Sequence, residues 1–312
     1  MKVLVTGGAG FIGSHLVEHL LKKGYEVKCV DNFSSGKIEF LEAHLYKIEL
    51  IKGDLINKRD ARNAVKNCEI VFHLAANPDV RAGEKDTKSI FENNIVATYN
   101  LLEGMRKEGV KKIIFTSSSA VYGDAKKIPT PEDYSPLVPI SIYGATKLAC
   151  EAMICSYSHT FDIEAIIYRF ANVVGPRSTH GVIYDFIKKL RANKEKLEIL
   201  GDGTQRKSYL YIDDCIDAIF YTMERWEDKI EIYNIGSLDS IEVKEIADIV
   251  SKEMGLKPEY VFTGGINGRG WRGDVKFMTL DISKIMQKGW RPKNSSRKAV
   301  ELAVKWLINE IK

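Results

Sequence analysis

Along the first half of the chain, short, mainly apolar stretches alternate with stretches in which apolar residues return every three or four positions. They are residues 3–5, 27–30, 48–51, 70–74, 113–115 and 163–168; the first is an unbroken run, which suits a strand buried on both faces of a sheet, and Lys28, Glu49, His73 and Glu164 each interrupt one of the others. Between them, residues 11–20, 60–65, 90–105 and 144–159 carry helical spacing. This alternation predicts an α/β fold built on a doubly wound parallel sheet, with ligands beyond the carboxyl ends of the strands. After Asn172, glycine and proline punctuate the chain and strands are fewer, while helical spacing returns at residues 182–191, 213–224, 243–254 and 296–311. The pattern predicts a sheet domain over residues 1–172. A smaller mixed α/β domain, for substrate, takes residues 173–312. The glycine-rich stretch 264–273, with Arg269, Trp271 and Arg272, reads as a functional or mobile loop.

The turn after the first apolar run sharpens this picture. It reads T-G-G-A-G-F-I-G, with Gly7, Gly10 and Gly13 three apart. The first glycine allows the turn, the second lets a pyrophosphate approach the backbone, and the third lets helix pack on strand. Phe11 and Ile12 open the helix, whose N-terminal N–H groups face the phosphates. The next run ends in Asp31, near the position ~20 residues on where a carboxylate holds the adenosine ribose hydroxyls. A carboxylate there repels a 2′-phosphate, so NAD is expected rather than NADP.

Composition narrows the setting. The chain has 312 residues, 45% of them hydrophobic, enough for one large domain or two modest ones with a sizeable core. A net charge of +4, with both signs interspersed and no basic block, speaks against nucleic-acid binding. Cys29, Cys68, Cys150, Cys155 and Cys215 form no C-x-x-C pair, the pattern of reduced thiols. The histidines show no metal-ligand spacing, so no metal is expected. The chain enters a strand at once, and no apolar run is long enough to span a bilayer. The expected location is cytoplasmic, without membrane contact.

Tyr143 and Lys147 stand four apart at the start of a helical stretch and share a face. A tyrosine with a pKa near ~10 is a poor base at neutral pH. A neighbouring ammonium and a positive nicotinamide are expected to lower it. Ser118, at a strand end within a serine cluster, is placed to face the same cleft. The three residues make a proton-transfer site beside a hydride acceptor.

Together T-G-G-A-G-F-I-G, Asp31-Asn32, Gly53-Asp54-Leu55, His73-Leu74-Ala75-Ala76, S-S-S-A-V-Y-G and Y-G-A-T-K resemble the extended short-chain dehydrogenase/reductase family, a Rossmann fold. The resemblance covers nearly the whole chain, and the N-terminal motifs are the more specific. Within the family the chain is similar to the NAD-dependent nucleotide-sugar epimerases. The implied activity is 4-epimerisation of UDP-glucose through a 4-keto sugar. Residue by residue, the resemblance implies that Gly7, Gly10 and Gly13, with Phe11 and Ile12, hold the cofactor phosphates. It places Asp31 and Asn32 at the ribose, Asp54 and Leu55 at the adenine, and Ala75 and Ala76 beside the nicotinamide ribose. Asn94 and Asn172 fall near the cofactor and the sugar diphosphate. Ser118 matches the catalytic hydroxyl, Tyr143 the base and Lys147 its partner. The family also implies a homodimer packed through helices around residues 90–105 and 144–159.

The chain departs from the family in two places. Lys207-Ser208-Tyr209 replaces an Arg-Asp-aromatic triplet, and a lysine cannot make the bidentate phosphate contact of an arginine, which leaves Arg206 as the neighbouring substitute. Trp271-Arg272-Gly273-Asp274 replaces Arg-x-Gly-Asp, so Arg272 or Arg269 is the diphosphate candidate there. Related dehydratases carry Thr-Asp-Glu before Val-Tyr-Gly, where this chain has Ser118-Ser119-Ala120 and hence no acid in that segment for eliminating water, which leaves a carboxylate from elsewhere, such as Glu84 or Asp124, as the alternative. The sugar itself stays open between glucose, N-acetylglucosamine and a uronic acid. A non-catalytic NAD sensor would not need the Ser118, Tyr143 and Lys147 set.

Overall fold

A computed structural model describes residues 1–311. In β1 (Lys2–Thr6), Val3, Leu4 and Val5 are fully buried, as the apolar run predicts. β2 (Glu26–Asp31) pairs in parallel with β1, and β3 (Ile48–Lys52) with β2. β4 (Ile70–His73) lies on the other side of β1, and β5 (Lys112–Ser118) pairs in parallel with β4. β6 (Glu164–Phe170) continues the sheet. Among the described residues this parallel sheet has seven strands, in the order Ile230–Ile235, β6, β5, β4, β1, β2, β3. The order reverses between β1 and β4, so the crevice for a ligand opens at their carboxyl ends.

The Ile230–Ile235 strand escapes the apolar-run reading. Glu231 and Asn234 interrupt its apolar residues, and buried Glu231 is satisfied by the Tyr233 hydroxyl, which donates to it at 2.8 Å.

Helices cover the sheet. α1 (Phe11–Lys22) buries Leu16, Val17 and Leu20. α2 (Lys58–Val65) starts at Asn57, whose side chain accepts from the Arg59 N–H at 2.9 Å. The single helix expected over residues 90–105 is corrected to three pieces. These are α3 (Thr87–Phe91), a π-helical turn over Glu92–Val96, and α4 (Ala97–Glu108). The widened turn holds buried Asn94, and such turns concentrate at functional sites. α4 packs tightly on α2: a Cβ on Gly104 would lie 3.2 Å from the Arg62 Cα. α5 (Ile142–Phe161) follows the turn after β5.

By contacts the chain forms two compact units that interleave in sequence. One takes Met1–Val121, Ile142–Arg169 and Thr222–Tyr233. The other takes Tyr122–Ser141, Phe170–Tyr221 and the residues from Asn234 onward. The second unit is mixed α/β, with Asn172–Val174 beside Tyr209–Tyr211 and Lys196–Ile199 beside Glu259–Phe262. Its helix Val243–Glu253 begins with a capping box between Glu242 and Glu245 and packs on Ser296–Glu310. Among the described residues no helix is long and apolar enough to cross a membrane.

Candidate active site

The β1–α1 turn is built for close approach. Gly7 has φ +67, and a Cβ on it would lie 2.9 Å from the Ala75 backbone nitrogen. A Cβ on Gly13 would lie 2.1 Å from the Gly7 carbonyl oxygen, so the first turn of α1 rests directly on the loop. Gly10 caps α1 with no side-chain bond. The N–H groups of Phe11, Ile12 and Gly13 therefore lack both an intrahelical partner and a cap, which suits an anion. This cradle without side chains fits a dinucleotide pyrophosphate, and NAD is the cofactor of the family that this turn resembles.

Asp31 is 8% exposed and ties the turn to the end of β2. Its carboxylate accepts from the Ala9 N–H at 2.9 Å and from the Phe33 N–H at 2.8 Å. Burial raises its pKa, and the two backbone bonds pull it back. Each oxygen keeps a lone pair for a ribose hydroxyl. Asp31→Ala is therefore expected to weaken NAD binding roughly 10- to 100-fold and to narrow the preference over NADP, read as the ratio of the two dissociation constants. An unchanged ratio would remove Asp31 from cofactor choice. Asn32 donates to Asp54 at 3.1 Å, and the Leu55 carbonyl accepts from Asn100 at 3.0 Å, so the strand ends beside Asp31 are braced.

The proton-transfer candidates meet in the same unit. Ser118 ends β5, Tyr143 stands in the first turn of α5, and the Ser118 hydroxyl is close enough to act on the Tyr143 phenol. Lys147, one turn on, is 3% exposed and donates to the Thr116 carbonyl at 2.9 Å. Its ammonium lies 5.8 Å from the centre of the Tyr143 ring and 4.9 Å from that of Phe115. The expected lowering of the Tyr143 pKa rests on this ammonium and a bound nicotinamide together. Burial pushes the phenol up to about 12, with the Ser118 hydroxyl acting the other way. Burial also pulls Lys147 down to about 8. Desolvation sets both directions, and the ammonium spends its hydrogen bond on a carbonyl.

Around these residues lies a buried polar frame that the sequence did not reveal. Asn94 accepts from the Asn77 N–H at 2.8 Å and donates to Thr146 Oγ1 at 2.8 Å, and Thr146 donates to the Tyr143 carbonyl at 2.8 Å. Ser117 donates to Glu151, which Arg169 grips with a guanidinium nitrogen at 2.7 Å. A polar residue at helical spacing gives no sign of such a distant partner, so only the fold exposes it. Ala75 and Ala76 follow β4, with the Ala75 N–H bonded to Thr6 Oγ1 at 3.0 Å.

The diphosphate candidates all fall in the second unit, and most are already paired. Lys207 meets Asp274 at 2.5 Å. Arg269 grips Asp124 at 2.8 and 3.0 Å, and Arg206 pairs with Glu242 at 2.6 Å. Arg272 is exposed and forms no hydrogen bond or ion pair among the described residues. Asn172 is bonded through its side chain to the Ser208 carbonyl at 3.3 Å. Among the described residues no group of three or more His, Cys, Asp or Glu side chains is placed to hold a metal.

Comparison with known proteins gives consistent matches. The family model described as NAD dependent epimerase/dehydratase family matches residues 3–236. A UDP-glucose 4-epimerase of Mycolicibacterium smegmatis is 32% identical over 320 residues, covering 99% of each chain. A crystal structure of a UDP-galactose 4-epimerase is 45% identical, with a TM-score of 0.91 and 100% of both chains covered. A UDP-glucuronic acid 4-epimerase from Bacillus cereus, solved with UDP-glucuronic acid and NAD, is 32% identical with a TM-score of 0.90, covering 99% of this chain and 100% of that one.

Proposed function

The chain belongs to the NAD dependent epimerase/dehydratase family, and from that premise we propose that it interconverts UDP-glucose and UDP-galactose at C4. It is an NAD-dependent nucleotide-sugar epimerase, so the proposal concerns the sugar, the residues and the assembly. The observation that carries the residue roles is the meeting of Ser118, Tyr143 and Lys147 beside a strand-end turn that fits NAD.

In this reading Tyr143 takes the proton of the sugar 4-hydroxyl, and Ser118 holds O4 by a hydrogen bond. Lys147, fixed on the Thr116 carbonyl, presents its ammonium to the ribose of the cofactor and to the face of Tyr143. Bound NAD supplies the acceptor for the C4 hydride and the positive charge that favours the phenolate. The 4-keto sugar then presents its other face, and Tyr143 returns the proton once the hydride is back on C4. For the diphosphate, Arg272 forms no ion pair among the described residues, and Asn172, Arg206, Lys207 and Arg269 are the other candidates for the nucleotide sugar.

A dehydratase would need an acid and a base for loss of water across C5 and C6. Ala120 stands in the turn after Ser118 and transfers no proton. Asp124, a nearby carboxylate in sequence, is held by both terminal nitrogens of Arg269. Run in deuterated water, the reaction should leave the sugar carbons unlabelled, because the hydride returns without exchange. Deuterium on carbon, or a 4-keto-6-deoxy product, would defeat the reading. A panel of purified UDP-sugars fixes the sugar: equal or faster turnover of a UDP-uronic acid would replace glucose.

A homodimer through α4 and α5 belongs to the same reading. The helical run that would form its face exposes two large aromatics, Phe91 and Tyr99, at 49% and 41%. Light scattering of the purified protein should give twice the chain mass, and a monomer at working concentration counts against this face.

A further inference from the structure

His73 is fully buried at the end of β4, and the chemistry above does not use it. Its ring nitrogens have different partners. Nδ1 lies 2.9 Å from Thr6 Oγ1 at the end of β1, and Nε2 lies 2.9 Å from Thr98 Oγ1 on α4. The surroundings decide which nitrogen carries the hydrogen. Thr6 Oγ1 accepts from the N–H groups of Leu74 and Ala75, at 3.1 and 3.0 Å, so its own hydrogen goes to Nδ1. Thr98 gives its hydrogen to the Asn94 carbonyl at 2.6 Å, so it accepts from Nε2. Only the neutral ring with its hydrogen on Nε2 satisfies both sides. Burial, and next the charge of Lys147, hold the ring down to about 3, far below the range where it would protonate. The buried Cys150 thiol shares this neighbourhood, bonded to the Asn94 carbonyl and to Thr98 Oγ1.

The two sides of the ring lead to different parts of the site. On the Nδ1 side, Thr6 holds the Ala75 N–H, and Ala75 is the backbone against which Gly7 packs. On the Nε2 side, Thr98 holds the π-helical turn at Asn94. The Asn94 side chain reaches Thr146, and Thr146 reaches the Tyr143 carbonyl. We propose that His73 is a positioning residue whose single tautomer ties the NAD-binding turn on one side to the helix that carries Tyr143 on the other. Only the turnover arm of the test below rests on the epimerase reading.

Two variants separate the sides. In His73→Asn the amide oxygen replaces Nδ1 as acceptor for Thr6, and nothing reaches Thr98. In His73→Gln the longer side chain carries an amide N–H to Thr98, and the bond from Thr6 is lost. His73→Asn should keep NAD affinity within about twofold and lose about tenfold in kcat. His73→Gln should weaken NAD about tenfold and hold kcat at saturating NAD. A purely structural role would shift both quantities together in both variants, and that outcome overturns the proposal. A third measurement needs no variant. NMR of the wild-type holoenzyme with isotope-labelled histidine should show one ring with its hydrogen on Nε2, unchanged between about pH 5 and 8. A ring with its hydrogen on Nδ1, or no ring silent to pH, also overturns it. If the protein turned over no UDP-sugar, the epimerase reading would fail, and the NAD affinities and the tautomer would still decide the role of His73.

Discussion

Tyr143→Phe should lower epimerisation by about 10²-fold or more while the purified protein still carries NAD. The substitution removes the one oxygen placed to take the 4-hydroxyl proton and keeps the ring. The contact of the ring with the Lys147 ammonium, 5.8 Å from its centre, survives, so the cofactor side should be little disturbed. No neighbour can replace the lost base: the Ser118 hydroxyl is far too weakly acidic, and Lys147 is buried with its hydrogen bond committed to Thr116. Because the reactive form is the deprotonated phenol, the reactive fraction should grow about tenfold per pH unit below the pKa that the phenol has with NAD bound. Wild-type turnover should therefore climb with pH, and the phenylalanine variant should not follow. Turnover near the wild-type value would move the base elsewhere.

Gly13→Ala should strip the protein of NAD. The new methyl would fall 2.1 Å from the Gly7 carbonyl oxygen, a separation no packing tolerates. The turn cannot retreat, because Gly7 already occupies φ +67 and packs on the Ala75 backbone. Forcing an added methyl into such a place costs about 1–3 kcal/mol. If the distortion stays in the turn, that is a roughly 5- to 150-fold loss of NAD affinity. The readouts are the NAD content of purified protein and the dissociation constant. A variant that retains NAD at the wild-type level would show that helix and loop are less tightly packed than the geometry requires.

What could be read in the chain followed from local pattern. The apolar run of β1, the glycine spacing and Asp31 lie within one strand–turn–helix–strand stretch, so sequence spacing and spatial closeness agree there. The same holds for Tyr143 and Lys147, one helical turn apart. Reading failed where the partner was remote. Arg206 looked like a free phosphate ligand because Glu242, which pairs with it, lies far along the chain. Arg269 and Asp124 are likewise far apart in sequence. The π-helical turn at Asn94 leaves the apolar spacing almost unchanged, so periodicity ran straight through it. The burial that raises the Tyr143 pKa in the protein alone was not legible, because charge partners can be read from residue types, whereas desolvation depends on everything packed around the group. His73 was legible only as part of a motif. Its work depends on hydroxyls from three other elements.

The strand at Ile230–Ile235 has a consequence for how the protein is made. β6 is complete at Phe170, yet the strand that covers its outer edge begins only at Ile230. At ~5–20 residues per second, a ribosome leaves that edge open for roughly 3–12 s, with Ile166 and Ile167 on the waiting strand. An open apolar edge is a template for pairing with another nascent chain. Translation speed through the intervening residues, and the supply of chaperones during them, should therefore govern soluble yield more than the stability of the finished sheet does. A chain stopped after residue 172 would keep the whole NAD-binding turn and still be born with that edge uncovered.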